Sequence, residues 1–339
     1  MARGIYKIMA IPTFKVALVE SSKSSGHAGR GIGVYTENLK KYLPKYGVQL
    51  VSPDQNPDLI HYPQWDYLSS DWQYLNSSVP TILTIHDVIP LEFPEHYPLG
   101  IKAKLNLIMQ KLMISHAKFI ITDSYASVKS IHRHLSVPHH KLKNIYLGVD
   151  TLFKPTNIKS DYHLPKKFAL FIGDVNWNKN LVSLTKACLE LKLPLVIVGK
   201  NATQIESWNL DHPELAHLKE LKTLWQHKDI IRLGYVSYED LNLIMNQASV
   251  YCQVSYAEGF GLPVLEAMAV GTPVVAGNTH SLPEICGDTA FFCDPWDLSS
   301  IKTAILKALK KIHNKPIKNL SWEKTAQDTL LVYNQALQI

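Results

Sequence analysis

Short apolar, β-branched runs alternate with helical patterns along nearly all of this chain, and few folds accept such a pattern. The runs are Phe14 to Val19, Thr81 to Ile85, Phe119 to Thr122, Phe168 to Ile172, Leu195 to Val198, Val250 to Val254 and Pro273 to Ala276. Strands that are apolar on both sides and separated by helices predict parallel sheets covered by helices on both faces. A chain of 339 residues is too long for one ordinary core and suits two. The stretch from Gly148 to Lys167, with Pro155 and Pro165 and no clear period, reads as the linker. The expectation is therefore an α/β chain of two doubly wound domains, over residues 1–160 and 161–320. In the second, helices are predicted at Lys179 to Leu191, Glu214 to His227, Tyr238 to Asn246 and Leu298 to His313. A last helix, Ser321 to Leu337, has Ser321 as its N-cap and Trp322, Ala326, Leu330, Tyr333 and Leu337 at helical spacing, and it is expected to cross back onto the first domain.

Composition narrows the setting. Hydrophobic residues make up 46% and charged residues 19%, the balance of a folded soluble protein. Cys188, Cys252, Cys286 and Cys293 form no CxxC pair and read as buried thiols of a reducing cytosol. Arg3, Lys7 and Lys15 interrupt the apolar N-terminus, and no run approaches the roughly 18 apolar residues of a membrane span, so neither a signal peptide nor a transmembrane helix is expected. The sequons at Asn76, Asn201 and Asn319 then read as chance matches. The whole net charge of +6 lies in the first half: residues 1–165 carry 18 Lys+Arg against 12 Asp+Glu, the remainder 17 against 17. Such a half is either a solvated basic face or a surface for an anionic membrane or acceptor. No nucleic-acid partner is expected.

The most informative segment is Glu258-Gly259-Phe260-Gly261-Leu262-Pro263-Val264-Leu265-Glu266. A strand enters a loop with two glycines, and Pro263 stands where a helix begins that ends before Gly271. Loop and helix start thus lie at a strand's carboxyl end, where open α/β sheets bind ligands and a helix N-terminus offers unpaired N–H groups to an anion. Gly259 and Gly261 let the backbone approach a ligand, and the N–H groups of Phe260, Gly261 and Leu262 are candidate donors to sugar or phosphate oxygens. Each carboxylate accepts two or more hydroxyl hydrogen bonds.

Here the sequence resembles the GT-B glycosyltransferases of family 4 (group 1), whose signature is a Glu, seven residues and a second Glu. Glu258 and Glu266 fit it, and the likeness continues through Gly271-Thr272-Pro273-Val274-Val275-Ala276 to Ser281-Leu282-Pro283-Glu284-Ile285. The resemblance implies a GT-B architecture of two Rossmann-like domains facing across a cleft. It also implies that the first Glu binds the donor sugar and the second the ribose. Phe168 to Gly173 followed by Asn178-Lys179-Asn180-Leu181 resembles the strand and helix start whose Arg and Lys neutralise the donor diphosphate. Lys179 matches the Lys, but Asp174 stands where the Arg is expected, which points to Arg30 or backbone amides for the missing charge. Gly199 is expected near the nucleotide, and Tyr235 and Val236 either beside the base or in the core. Gly29-Arg30-Gly31-Ile32-Gly33 resembles the family's glycine loop facing the phosphates, although as a dinucleotide fingerprint its spacing fails. His86 sits where the family has a histidine near the transferred sugar. Ser124 is in a family-like place and equally reads as a helix cap. The histidines at 132, 134, 139 and 140 lack matched ligands, and with no Asp-x-Asp motif no metal site and no other cofactor is expected.

The function implied is a metal-independent, retaining transfer of a hexose-type sugar from a UDP- or GDP-sugar to a hydroxyl of a glycan or glycolipid, with Glu258, His86 and Lys179 as catalytic candidates. The setting implied is the cytoplasm or the inner membrane surface. A paired-carboxylate hydrolase is disfavoured, because one helix start cannot flank a scissile bond from both sides. The stronger rival is a noncatalytic nucleotide-sugar binding subunit, to which Asp174 lends support, and the third is a nicotinamide dehydrogenase. Lysines interleave with an apolar stripe over Lys102 to Lys118, which reads either as ordinary core or, with a lipid-linked acceptor, as a membrane contact.

Overall fold

The computed structural model describes residues 13–20, 31–66, 78–310 and 320–339. Among these, the alternating runs form two six-stranded, wholly parallel sheets. The first contains β1 (Phe14–Leu18), β2 (Val48–Leu50), β3 (Leu59–Tyr62), β4 (Thr81–Thr84), β5 (Phe119–Thr122) and β6 (Leu142–Asn144), in the order β2-β1-β3-β4-β5-β6. Helices α1 (Gly31–Tyr42), α2 (Ile89–Glu92), α3 (Ile101–His116) and α4 (Tyr125–Leu135) lie between its strands. The second sheet contains β7 (Ala169–Ile172), β8 (Leu195–Val198), β9 (Ile230–Gly234), β10 (Val250–Gln253), β11 (Val274–Gly277) and β12 (Phe291–Cys293), in the order β12-β11-β10-β7-β8-β9. Its helices are α5 (Leu181–Glu190), α6 (Ala216–Leu224), α7 (Tyr238–Gln247), α8 (Leu262–Val270), α9 (Leu282–Cys286) and α10 (Leu298–Leu309), and α11 (Trp322–Leu337) closes the chain.

Strands β4, β8, β10 and β11 are buried at every position, which explains their unbroken apolar runs: each has helices on both sides. The two orders place a switch point between β1 and β3 in the first sheet and between β7 and β10 in the second. There the connections leave in opposite directions and open a crevice at the strands' carboxyl ends. All four cysteines are buried free thiols, and burial pushes Cys188, Cys286 and Cys293 up to about 12.

Helix α11 packs on the first sheet. Trp322, Ala326, Val332 and Tyr333 share a core with Val16, Tyr35, Leu39 and Ile82, and the Tyr333 hydroxyl lies 2.6 Å from His61 Nδ1. Ser321 caps the helix by accepting from the Lys324 N–H. The sequence and the structure part company at α5. The chain makes a 3₁₀ turn over Trp177–Lys179, and Asn180 adopts a left-handed conformation at φ 53°, its side chain tied to the Val254 and Pro295 carbonyls. The helix therefore starts at Leu181, and Lys179 precedes it instead of opening it.

Candidate active site

Strand β10 delivers Gln253 and Ser255 to the second switch point, and both hold Glu258. Gln253 Nε2 donates to Glu258 Oε1 at 2.5 Å and Ser255 Oγ donates to the same oxygen at 2.6 Å. Lys179 completes the cluster, its Nζ lying 2.9 Å from Oε1 and 2.8 Å from Oε2 of the buried Glu258. A carboxylate has about four acceptor positions and an ammonium three donors. Oε1 is saturated, so the spare acceptor capacity of Glu258 is on Oε2 and the spare donor of the pair is the third N–H of Lys179. One carboxylate oxygen and one cationic N–H are thus presented together, a pairing that suits a sugar hydroxyl next to a phosphate.

The loop that follows is held from both sides. Ser281 Oγ is 2.9 Å from the carbonyls of Glu258 and Phe260. Pro263 occupies the first turn of α8, and Gly271 ends the helix in the left-handed region, as the residue types predict. Within the loop the N–H groups of Phe260, Gly261 and Leu262 find no acceptor among the described residues, whereas those of Val264 and Leu265 bond the Gly261 carbonyl. Unbonded N–H groups at a helix start form an anion site. The side chains of Phe260 and Leu262 turn the other way, into the core shared with the first domain and α11. Their contribution is therefore backbone polarity on one side and apolar packing on the other. Glu266 is buried in the first turns of α8, and burial, with Asp150 adding repulsion, pushes its carboxyl up to about 8.

Around β7 and β8, Gly173 and Gly199 press together so closely that a Cβ on Gly199 would fall on the Gly173 carbonyl oxygen. That leaves a floor of bare backbone between the ends of β7 and β8. Asp174 occupies the position expected of an arginine, and Asn201 Nδ2 donates to its Oδ1 at 3.0 Å, so the carboxylate is engaged at the end of β8. Arg30 lies outside the described residues, as do Asn76 and Asn319. Gly31 is exposed at the start of α1, and a Cβ there would meet nothing within 4 Å. Of the pair expected beside the base, Tyr235 is 69% exposed, whereas Val236 is packed in the core with Leu241, Ile244 and Met245. The core reading thus holds for Val236, because the turn at Gly234 aims alternate side chains in opposite directions.

The first domain meets this cluster through the ends of β4 and β5. His86 Nδ1 is 2.6 Å from Asp123 Oδ2, and its Nε2 faces the Pro63 carbonyl at 3.2 Å. Burial opposes charge on His86, but the Asp123 carboxylate outweighs it and the imidazole is held above its ordinary range. Both ring nitrogens thus have protein partners, and reaching a ligand through Nε2 requires releasing Pro63. Asp87 is also raised, by burial. Ser124 caps α4 by accepting from the Ser127 N–H, as the cap reading has it, and it also donates to the Gly259 carbonyl at 2.7 Å. A Cβ on Gly259 would lie 3.0 Å from Asp87 Cβ and 3.1 Å from the His86 carbonyl oxygen, so a side chain here would push the first domain back by a few tenths of an ångström. On the far side of the loop, Glu284 of α9 accepts from the Tyr125 and Ala126 N–H groups at 2.8 and 3.2 Å, capping α4 across the cleft.

Sequence reasoning brought Glu258, Lys179 and the motif loop to one place and missed the residues that hold them. Gln253 and Ser255 sit in an apolar strand and its exit, Asp123 beside an expected cap, and Ser281 in a stretch valued only for its likeness. The one usable signal was a Gln inside an otherwise apolar buried strand, since a buried amide needs a partner. Asn178 carries similar weight: it donates to the Ala257 carbonyl at 2.9 Å and accepts from the Tyr97 hydroxyl at 2.8 Å, joining the loop to the first domain.

The family model described as glycosyl transferases group 1 matches residues 154–328, and that of glycosyltransferase family 4 matches residues 51–152. The O-antigen chain mannosyltransferase B of Escherichia coli is 29% identical, over 74% of this chain and 69% of that protein. The chain spans under a third of the longer serotype-specific mannosyltransferases it also matches. Among solved structures, sucrose-phosphate synthase of Thermosynechococcus elongatus superposes with a TM-score of 0.74 at 18% identity, covering 96% of this chain and 99% of that one. Anabaena HepE, solved with UDP and glucose, gives a TM-score of 0.64 at 17% identity, covering 96% and 95%. These likenesses show the GT-B fold.

Proposed function

Because the chain belongs to the group 1 glycosyl transferases, we propose that it moves a hexose from a UDP- or GDP-sugar to a hydroxyl of a glycan or glycolipid, with retention and without a metal ion. The observation that carries this reading is the Lys179–Glu258 pair at the second switch point, beside the unbonded N–H groups at the start of α8. Breaking the bond between a sugar and a nucleoside diphosphate builds positive charge at the anomeric carbon and negative charge on the departing phosphate. Oε2 of Glu258 faces the first, whereas the third N–H of Lys179 and the loop amides face the second. Donors placed in advance where charge develops are worth about 3–4 kcal/mol each in such sites. Glu266 binds ribose hydroxyls, Tyr235 covers the base from the rim, and the Gly173–Gly199 floor lets the diphosphate lie against backbone. With Asp174 held by Asn201, no cationic side chain replaces the expected arginine among the described residues, so amides carry more of the phosphate charge.

In this reading the acceptor oxygen attacks on the face the phosphate leaves, and that phosphate takes the acceptor's proton. His86, whose charged form the Asp123 carboxylate favours against burial, steadies the sugar from the first domain once its Nε2 releases the Pro63 carbonyl. The relatives named as mannosyltransferases favour mannose as the sugar, and such names speak for a transferase rather than a passive binding subunit. No helix among the described residues is long and apolar enough to cross a membrane. The buried free thiols and the basic first half are what support the cytoplasm or the inner membrane surface as the proposed setting. The test is to incubate the chain with GDP-mannose, UDP-glucose and UDP-galactose and simple hydroxyl acceptors, with and without a chelator, and to read the anomeric configuration by NMR. Transfer with retention that survives chelation is expected. An inverted product, or activity abolished by chelation, overturns the mechanism.

A further inference from the structure

Helix α3 leaves a row of large apolar side chains in solvent: Ile101 is 83% exposed, Leu105 60%, Ile108 59% and Leu112 53%. Their spacing of four, three and four residues puts them within about 60° of one another around the helix and along about 16 Å of its length. The opposite face, Gln110, Met113 and Ile114, is the one buried against the first sheet. The stripe is therefore not the core face the sequence also allowed. Lys104 and Lys111 flank it on one side and Lys102 on the other, and the helix holds no carboxylate. Over residues 97–149 there are eight Lys+Arg and one acidic residue, Asp123, which is buried beneath His86. Next to the stripe opens a cavity of about 480 Å³ lined by Ile108, Lys111, Leu112, Leu135, Val137 and Lys141.

We propose that α3 docks this protein on an anionic phospholipid bilayer, lying in the interface with Ile101, Leu105, Ile108 and Leu112 among the acyl chains and Lys102, Lys104, Lys111 and Lys118 on the headgroups. The charge decides the occupant. A second copy would bring a like basic face against this one, whereas an anionic surface neutralises it and each basic side chain near such a surface adds to binding. The adjoining cavity extends the apolar surface at the depth where acyl chains begin. The placement suits the proposed reaction: α3 begins just after Tyr97, whose hydroxyl donates to Asn178 of the second domain, so the cleft opens near the membrane and a lipid-anchored acceptor reaches it. The inference gives the peripheral part of the proposed function a surface and does not depend on the transfer chemistry.

The test is co-sedimentation of the full chain at low salt with phosphatidylcholine vesicles, with and without phosphatidylglycerol. Binding only to the anionic vesicles, weakening as salt rises, is expected. The triple variant Leu105→Gln, Ile108→Gln and Leu112→Gln then binds at least about tenfold more weakly, and each of Lys102→Gln, Lys104→Gln and Lys111→Gln about fivefold, the equivalent of about 1 kcal/mol per basic side chain. These side chains are exposed or at the helix margin, so the variants keep the parent's melting temperature and its turnover of a soluble acceptor. The proposal is overturned if the parent ignores anionic vesicles, if the variants bind as the parent does, or if the stripe variants instead dissociate an oligomer that has no lipid affinity. Loss of turnover in all proteins alike, with lipid binding intact, would count against the transferase reading and not this one.

Discussion

The two sheets share a topology class and differ in what their crevices hold. At the second switch point the polar side chains hold one another, Gln253 and Ser255 bonding Glu258, Glu258 bonding Lys179, Asn180 Nδ2 the neighbouring loops and Asn201 Asp174, while Asn180 Oδ1 and the amides at the start of α8 find no partner among the described residues. On the first sheet the His86–Asp123 pair stands at the ends of β4 and β5, Asp123 Oδ1 is buried without a partner among the described residues, and outward lies an exposed basic and apolar helix. The contrast fits a donor side that must hold one shape for one class of ligand and an acceptor side shaped by a particular, larger partner. Preorganisation on the donor side and an open surface on the other divide the work of a two-substrate reaction.

The largest effect expected to break this comparison comes from Glu258→Gln. It leaves the shape intact but unpairs Lys179, and turnover should fall by about 10²–10³ with the fold retained. Steady-state kinetics beside a melting curve check this, and a variant with near-parental kcat would remove Glu258 from the reaction. Next in size is Glu266→Gln, which separates stability from function. The folded carboxyl sits at about 8, above its ordinary 4.5, so the native state holds the extra proton between those values and stability falls as pH rises through that window. The Gln variant should melt higher than the parent above about pH 8 and lose that advantage toward about pH 5, while donor KM rises about tenfold. A pH-independent difference would contradict the burial of a mostly neutral carboxyl.

On the first sheet, Asp123→Asn tests the other side of the comparison. His86 is raised above its unfolded value, so its contribution is fully present below about pH 6.5 and is lost as pH climbs through the folded value. The variant should be destabilised more at about pH 6 than at about pH 9, read as a larger drop in melting temperature at the lower pH. Equal destabilisation at both would show that Asp123 acts by packing alone. The smallest effect belongs to Tyr235→Ala. This exposed ring should raise donor KM by about threefold to tenfold without moving the melting temperature, because stacking on a rim is worth about 1 kcal/mol.

Much of the donor half was legible in the sequence because its constraints are local. A strand, two glycines, a proline at the helix start and a glycine after its end fix the loop by backbone chemistry, and that loop sets where Glu258 and the amides point. The supports of Glu258 were hidden because a Gln in a strand has no preferred period, and Gln253 and Ser255 reach Glu258 only through the turn of the loop that follows β10. Lys179 was expected to open a helix, and the left-handed Asn180 moved that start by bonding loops that are distant in sequence. The α3 stripe was ambiguous for a related reason: an apolar periodicity states that a face must be covered, not by what. Its exposure emerged only when Gln110, Met113 and Ile114 took the inward side.

On the proposed function, the pair at Lys179 and Glu258, with the amides of the α8 start, binds the diphosphate sugar. The most direct measurement is the melting temperature of the chain against a panel of UDP-, GDP- and ADP-sugars and NAD, repeated for Lys179→Met. A ligand that binds only the folded state raises the melting temperature in proportion to its affinity. Stabilisation by UDP- or GDP-sugars of one sugar class, its loss in the Lys179 variant, and no effect of NAD are expected. Stabilisation by NAD, or by no nucleotide sugar at all, would contradict that reading.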